Sequence, residues 1–352
     1  MAAINLTLTD EQRALRAGVL EICRRYPGEY WRELDARREY PEKFVNELTQ
    51  AGYLAALIPQ EYGGAGLGIV EGALILETIH AAGGNAAACH AQMYIMGTLL
   101  RHGSAEQKRR YLPKLAAGEL RLQAFGVTEP NSGSDTTKLA TTAVRRGDRY
   151  IVNGRKMFIS RVLQSDLMLL LARTTPVDQV KRRTDGLSVF LVDIRNLTGL
   201  EVRPLRMMMN HSTNALFFDD VEIPADSLIG EEGAGFAYIL DGMNAERILV
   251  GSESIGDGRW FVDKAVTYSS SGSSSAGRSA RTRACSSRSP RRTPPSKRPR
   301  SCATRPRRSS TPASRAGPRP TWPNTSRRRR RGRRPTRAST ATAGTGSPRS
   351  TT

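Results

Sequence analysis

The sequence predicts an α+β multidomain fold: a helical N-terminal domain, a β-barrel-like middle domain and a second helical stretch, followed by a disordered basic tail. Two observations predict the folded part. Apolar residues recur at helical spacing through residues 7–120, at strand spacing from Gln123 to Val221, and at helical spacing again from Phe236 to Lys264. Helices, then strands, then helices is not the alternation of a doubly wound sheet. A third observation bounds it: the 84 residues from Ser269 to Thr352 hold 23 Lys and Arg, no Asp or Glu, and no Ile, Leu, Val or Phe. Such a segment has too few apolar side chains to offset its ordering entropy. The expected domains are therefore 1–120, 121–232, 233–268 and a low-complexity tail over 269–352.

The elements follow in order. Thr9 is the expected N-cap of a helix beginning at Asp10, with Leu15, Val19 and Ile22 at helical spacing. Tyr40-Pro41-Glu42 opens another, since proline suits a first helical turn, and Phe44, Val45 and Leu48 form its apolar face. Residues 58–68 are a loop with four glycines. Residues 69–82 and 92–102 are apolar helices, and 105–112 a shorter one. Strands are expected at 141–144, 150–152, 167–171, 187–192 and 215–218, with turns at Arg146-Gly147-Asp148 and Asn153-Gly154. Residues 236–264 return to helix, carrying Ile239, Met243, Leu249 and Val250.

Composition narrows the function. The net charge of +21 belongs to the tail; before it, 31 basic residues face 33 acidic ones. The basic run Arg327 to Arg334, taken alone, suggests a nucleic-acid-binding arm acting through counterion release. It lacks interleaved aromatics, and the near-neutral front part gives no reason to expect nucleic acid. Cys23, Cys89, Cys285 and Cys302 have no metal spacing and fit reduced thiols in a cytoplasmic protein. No metal site is expected at His80, His90, His102 or His211, which lack ligand spacing. No apolar run approaches the length of a membrane span, and no signal segment opens the chain.

The most specific stretch is Val127-Thr128-Glu129-Pro130-Asn131-Ser132-Gly133-Ser134-Asp135, which follows an apolar strand. Gly133 allows close approach of a ring or phosphate, and Thr128 and Ser134 supply neutral donors. The stretch resembles the flavin signature of the acyl-CoA dehydrogenase family. Other segments resemble the family in the same order: Ile58 to Gly66, Gly103 to Pro113, Asn153-Gly154-Arg155-Lys156-Met157-Phe158-Ile159-Ser160, Phe218 to Pro224 and Gly230 to Phe236. The resemblance covers about residues 5–268.

The resemblance implies FAD as cofactor. Phe125, Val127 and Thr128 are then expected to line the isoalloxazine ring, with Gly133 and Ser134 near the flavin and Ser134 also near the CoA of the substrate. Phe158 stands where the family often has Trp against the flavin, and Ser160 where it often has Thr near N5. The implied reaction is α,β-dehydrogenation of an acyl-CoA, with electrons passing to an electron-transfer flavoprotein. A carboxylate takes the α-proton, so its pKa needs to rise in a dry site, and donors must stabilise the enolate. Asn244-Ala245-Glu246-Arg247 matches the isovaleryl and long-chain placement of that base. Glu246 is the expected catalytic residue, with Asn244 and Arg247 near CoA. An acyl-CoA oxidase or flavin monooxygenase on the same fold remains an alternative, as does an inactive fragment with a nucleic-acid-binding tail.

The tail has a further reading. If one base was lost before the codon for Ser271, the neighbouring frame through Ser289 can spell RVVFGRPIGQNQGVQFPI, which resembles the family's next segment. The last residues, Thr342 to Thr352, can likewise spell GGYGFAAEYD, a glycine-rich family segment. On this reading the C-terminal helical domain is truncated at Tyr268 and the tail is out of frame. Weak FAD binding, little activity and loss of the family's homodimer or homotetramer are expected of the chain as written.

Overall fold

The structure is a computed structural model that describes residues 7–271 together with the pairs 273–274 and 277–278. Most of the expected tail, with Cys285, Cys302 and Arg327 to Arg334, lies outside the described residues.

The N-terminal domain comprises α1 (Asp10–Arg24), α2 (Gly28–Arg37), α3 (Glu42–Gln50), α4 (Ile69–Ala81), α5 (Ala87–His102) and α6 (Ala105–Ala116). Thr9 caps α1 as expected: its hydroxyl accepts from the Gln12 N–H at 3.2 Å, and the Gln12 side chain answers the Thr9 N–H. Ser104 and Gln107 build the same box on α6. Helix α4 is buried from Gly72 through Ile79, as suits a helix apolar on every side. It packs against α1, α5 and the later helix α7 (Gly235–Ser271).

Three boundaries differ from the sequence expectation. Helix α2 was not expected; it is rich in charge, and it stops at Arg38 with φ 57° rather than at a glycine. Helix α5 begins at Ala87, ahead of Gln92. Helix α6 runs through Pro113 instead of ending at Leu112, because Leu115 beyond the proline is fully buried and holds the last turn in place.

The middle domain is one sheet of β1 (Leu122–Gly126), β2 (Thr142–Arg146), β3 (Arg149–Ser160), β4 (Leu167–Arg173), β5 (Leu187–Asp193), β6 (Leu200–Pro204), β7 (Thr213–Pro224) and β8 (Leu228–Ile229). Its order is β6-β7-β3-β2-β4-β5-β8, with β1 parallel to β4. Tyr150 on β3 meets Phe190 on β5 at 4.9 Å between ring centroids, although β2 and β4 lie between those strands. The sheet therefore curls around its own core of Val152, Ile159, Leu170 and Leu216. Its hydrogen-bonded path remains open between β6 and β8 among the described residues.

Asn153-Gly154 is not the expected turn. Both residues lie inside β3, where Gly154 has φ 147° and an added Cβ would sit 2.6 Å from Thr141 Cα. The β3–β7 ladder instead carries two bulges. One lies opposite Asn153, where β7 holds an extra residue and Asp220 has φ 46°. The other lies on β3 itself at Met157–Phe158, with Phe158 at φ 60°. Each shifts the pairing by one residue, in opposite senses.

Helix α7 continues to Ser271, so the change of composition at Tyr268 falls inside a helix and not at its end. No helix of the described residues is long and apolar enough to cross a membrane.

Candidate active site

The end of β1 and the middle of β3 bring the Val127-Thr128 segment beside Lys156, Met157 and Phe158 in one patch. Chain continuity places Phe125, Val127 and Thr128 at the end of β1. The Met157 N–H then bonds the Thr128 carbonyl at 2.9 Å, which fastens this segment beside β3. Beneath it lies a buried ion pair. The Lys156 ammonium, fully buried, donates to Glu129 Oε1 at 2.9 Å and to the Val127 carbonyl at 3.1 Å. Glu129 also accepts from the N–H groups of Ala140 and Thr141, at 2.7 and 3.0 Å. Burial pushes the Lys156 pKa down to about 8, against the pull of Glu129. Burial alone would raise Glu129, but Lys156 and the Ala140 N–H outweigh it and hold that carboxyl below its ordinary range. The pair braces Val127 and Thr128 from below.

Past this brace the patch opens. The bulge at Met157–Phe158 turns the Phe158 ring outward, where it is 57% exposed despite its size. Ser160 follows, and its hydroxyl accepts from Asn210 Nδ2 at 2.9 Å. Gly133 and Ser134 lie exposed just beyond the turn closed by Glu129 and Ser132, where the Ser132 hydroxyl donates to the Asp135 carbonyl at 2.7 Å across them. An added Cβ at Gly133 would meet nothing, so no protein neighbour requires glycine there. An outward aromatic ring, with Thr128 bonded through its carbonyl to the neighbouring Met157 and Ser160 two residues on, fits a planar heterocycle with polar edges.

Glu246 approaches from the helical side. It lies on α7, half-buried, and among the described residues its carboxyl has no hydrogen bond or ion pair. Burial raises its pKa above 4.5, partly offset by His90 and Arg247. The link to the patch is Tyr94 on α5. Its buried phenol lies within the field of Glu246, and its ring meets Phe125 edge-on at 5.5 Å. Asn244 and Arg247 face solvent and bond each other, Arg247 Nη1 donating to Asn244 Oδ1 at 2.7 Å.

One cluster escaped the sequence reading. Glu253, two turns beyond Glu246 on α7, is buried and accepts from His90 Nδ1 at 2.7 Å. His80 Nε2 accepts the Ala86 N–H at 3.2 Å, so the ring's proton sits on Nδ1 and is donated to Asp257 at 2.8 Å. The seven-residue interval from Glu246 to Glu253 was the available signal, since it sets both carboxylates on one helical face. No group of three or more His, Cys, Asp or Glu among the described residues could hold a metal ion.

Residues 9–119 match the family model of the acyl-CoA dehydrogenase N-terminal domain, and 124–221 that of the middle domain. Acyl-CoA dehydrogenase fadE12 of Mycobacterium bovis is 34% identical over 263 residues, covering 74% of this chain and 66% of that protein. Cyclohex-1-ene-1-carbonyl-CoA dehydrogenase of Geobacter metallireducens is 33% identical over 269 residues, covering 74% and 68%. The crystal structure of an acyl-CoA dehydrogenase from Geobacillus kaustophilus has a TM-score of 0.74 at 28% identity, covering 80% of this chain and 74% of that one. The match to the Mycobacterium relative thus spans just under two thirds of its length.

Proposed function

Because the chain belongs to the acyl-CoA dehydrogenase family, we propose that it carries the machinery for FAD-dependent α,β-dehydrogenation of an acyl-CoA thioester. The observation that supports this most is the state of Glu246: a half-buried carboxyl, without partners among the described residues and raised in pKa by burial. A carboxylate so placed is a stronger base than one in water, which is what a weakly acidic thioester α-proton demands. Glu246 takes that proton. Phe158, Val127 and Phe125 offer the flat apolar contact for FAD, and Thr128, Gly133, Ser134 and Ser160 its polar edge. When bound, FAD supplies the acceptor for the β-hydride. Ser134, Asn244 and Arg247 are assigned to CoA. The exposed Asn244–Arg247 pair has a cation free to meet a phosphate once the two separate.

An electron-transfer flavoprotein is the proposed acceptor of the electrons, and the cytoplasm the proposed compartment, consistent with buried Cys23 and Cys89 as free thiols. The tail from Ser271 is proposed to be the product of a lost base. Resequencing across the codons for Thr267 to Gly272, with mass spectrometry of the protein, checks that; one intact frame encoding the tail overturns it.

The reaction is tested by a panel of acyl-CoAs on the frame-restored protein with a dye acceptor, alongside Glu246→Gln. The expected result is turnover that falls by about 10²–10⁴-fold in the variant. Turnover unchanged by the substitution would remove Glu246 from the role. Oxygen consumption without a flavoprotein acceptor would favour the oxidase alternative.

A further inference from the structure

Among the described residues, Arg161 is a buried cation without a counter-ion at hydrogen-bond distance. It is 7% exposed, yet among the described residues its guanidinium forms no ion pair, and its buried Nε has no hydrogen-bond partner. A buried cation without a counter-charge is costly, and proteins seldom keep one without a use. Burial disfavours its charge; Tyr94, Tyr40 and Glu253 act the other way. Its backbone is held at φ 57°, a left-handed conformation uncommon for such a residue.

Arg161 lines a cavity of about 120 Å³ between α2, α5 and the segment that precedes β7. Two more of its walls point to a ligand. His211, whose side chain is 14% exposed, donates to Asp35 Oδ1 through Nε2 at 2.8 Å, while its buried Nδ1 is unpartnered among the described residues. Asn210, also left-handed at φ 55°, lines the cavity and bonds Ser160, so the cavity adjoins the proposed flavin patch. Tyr94 lies within the field of both Glu246 and Arg161, which sets the proposed base and the unpaired cation near one ring.

We propose that this cavity is the far end of the substrate site and binds a singly charged carboxylate, carried on the acyl chain remote from the thioester. This rests on the acyl-CoA reading above. The chemistry favours a carboxylate. A buried Nε beside an Nη offers a side-on fork that matches two carboxylate oxygens. His211 contacts the same group as the imidazolium, Nε2 donating to Asp35 and Nδ1 to the carboxylate. A doubly charged phosphate is disfavoured because Asp35 and Glu39 also line the cavity.

The test uses the full chain and two arms. Trp31 lines the cavity and reports its filling by fluorescence, with Trp31→Phe as the control for the other tryptophans. Butyrate is expected to change that signal saturably and butyramide to leave it unchanged, and Arg161→Gln to weaken butyrate by about tenfold or more. If that variant fails to fold by circular dichroism, His211→Ala is expected to weaken butyrate in the same sense. Equal responses to butyrate and butyramide would mean that the cavity holds water only, and the proposal falls. In the second arm glutaryl-CoA is expected to bind about tenfold tighter than valeryl-CoA, with the preference lost in Arg161→Gln. Equal binding of the two thioesters, with butyrate still bound, overturns the acyl-chain assignment in favour of a free anion. Butyrate bound with neither thioester bound would count against the acyl-CoA reading and leave the carboxylate site standing.

Discussion

The two halves of α7 share one helix and differ in almost everything else. From Ile239 to Gly256 the helix is packed: Leu249, Ser252 and Glu253 are buried, and Gly256 lies so close to α4 that an added Cβ would sit 2.4 Å from the Glu77 carbonyl. From Phe261 to Tyr268 every residue is exposed, including Phe261 at 64% and Tyr268 at 78%. The first half has its partners within α4 and α5, and there it carries Glu246 and Glu253. The second half is equally helical, yet its apolar Phe261, Val262 and Val266 stay exposed, Phe261 meeting the edge-on ring of Trp260. Helix formation and helix burial are thus separable here: the helix continues well past the residues it buries.

Substitutions along this helix test that division. The largest effect is expected at the junction, where Arg259 pairs with Glu77, whose side chain is 6% exposed. Arg259→Gln should cost about 3 kcal/mol in urea unfolding, because it strands a buried carboxylate. Gly256→Ala should cost about 1–3 kcal/mol by forcing the helix off α4. A smaller effect follows from Glu246. Its folded pKa lies above the 4.5 of the unfolded chain, so between those values the folded state holds the extra proton. Stability from this group is complete below pH 4.5 and is lost as pH rises through the folded value. Glu246→Gln should therefore lose less stability than the parent between pH 4 and pH 7. Smallest are changes at the exposed positions from Gly258 onward. Gly258→Ala, whose Cβ meets nothing, should stabilise by about 0.5–1 kcal/mol. Phe261→Ser should shift stability by less than about 0.5 kcal/mol while reducing light scattering at high concentration. If Gly256→Ala and Gly258→Ala shift stability in the same direction, the division of the helix is wrong.

The class of each main element was legible because periodicity survives in a single sequence. The capping pair Thr9–Gln12 and the strands β4 and β5 carry their own signals: a hydroxyl at fixed offset, and runs buried on both faces. Helix α2 was not legible, since it lacks both a glycine stop and a sustained apolar face. Asn153-Gly154 misled because the same dipeptide serves a turn and a strand under close approach, and only the neighbouring Thr141 distinguishes them. The patch formed by 125–134 and 156–160 follows from family-like motifs. Arg161 and the His90–Glu253 contact do not, because long-range pairing of single polar residues leaves no periodic trace.

The paired bulges of the β3–β7 ladder carry a consequence for how this site can change. Each exchanges the inward and outward sets of the later residues on its own strand only, the first on β7 and the second on β3. On β3 the inward set therefore runs through Tyr150, Val152 and Lys156 up to the second bulge and resumes at Ile159 beyond it, so Tyr150 and Ile159 both keep their places in the core. The bulge on β3 behaves like a coupling between two lengths of shaft. It absorbs the change of phase within two residues, with Lys156 turned in before it and Phe158 turned out within it. A lineage could retune the ring presented to a cofactor by editing that bulge alone, and leave the sheet that supports it unaltered.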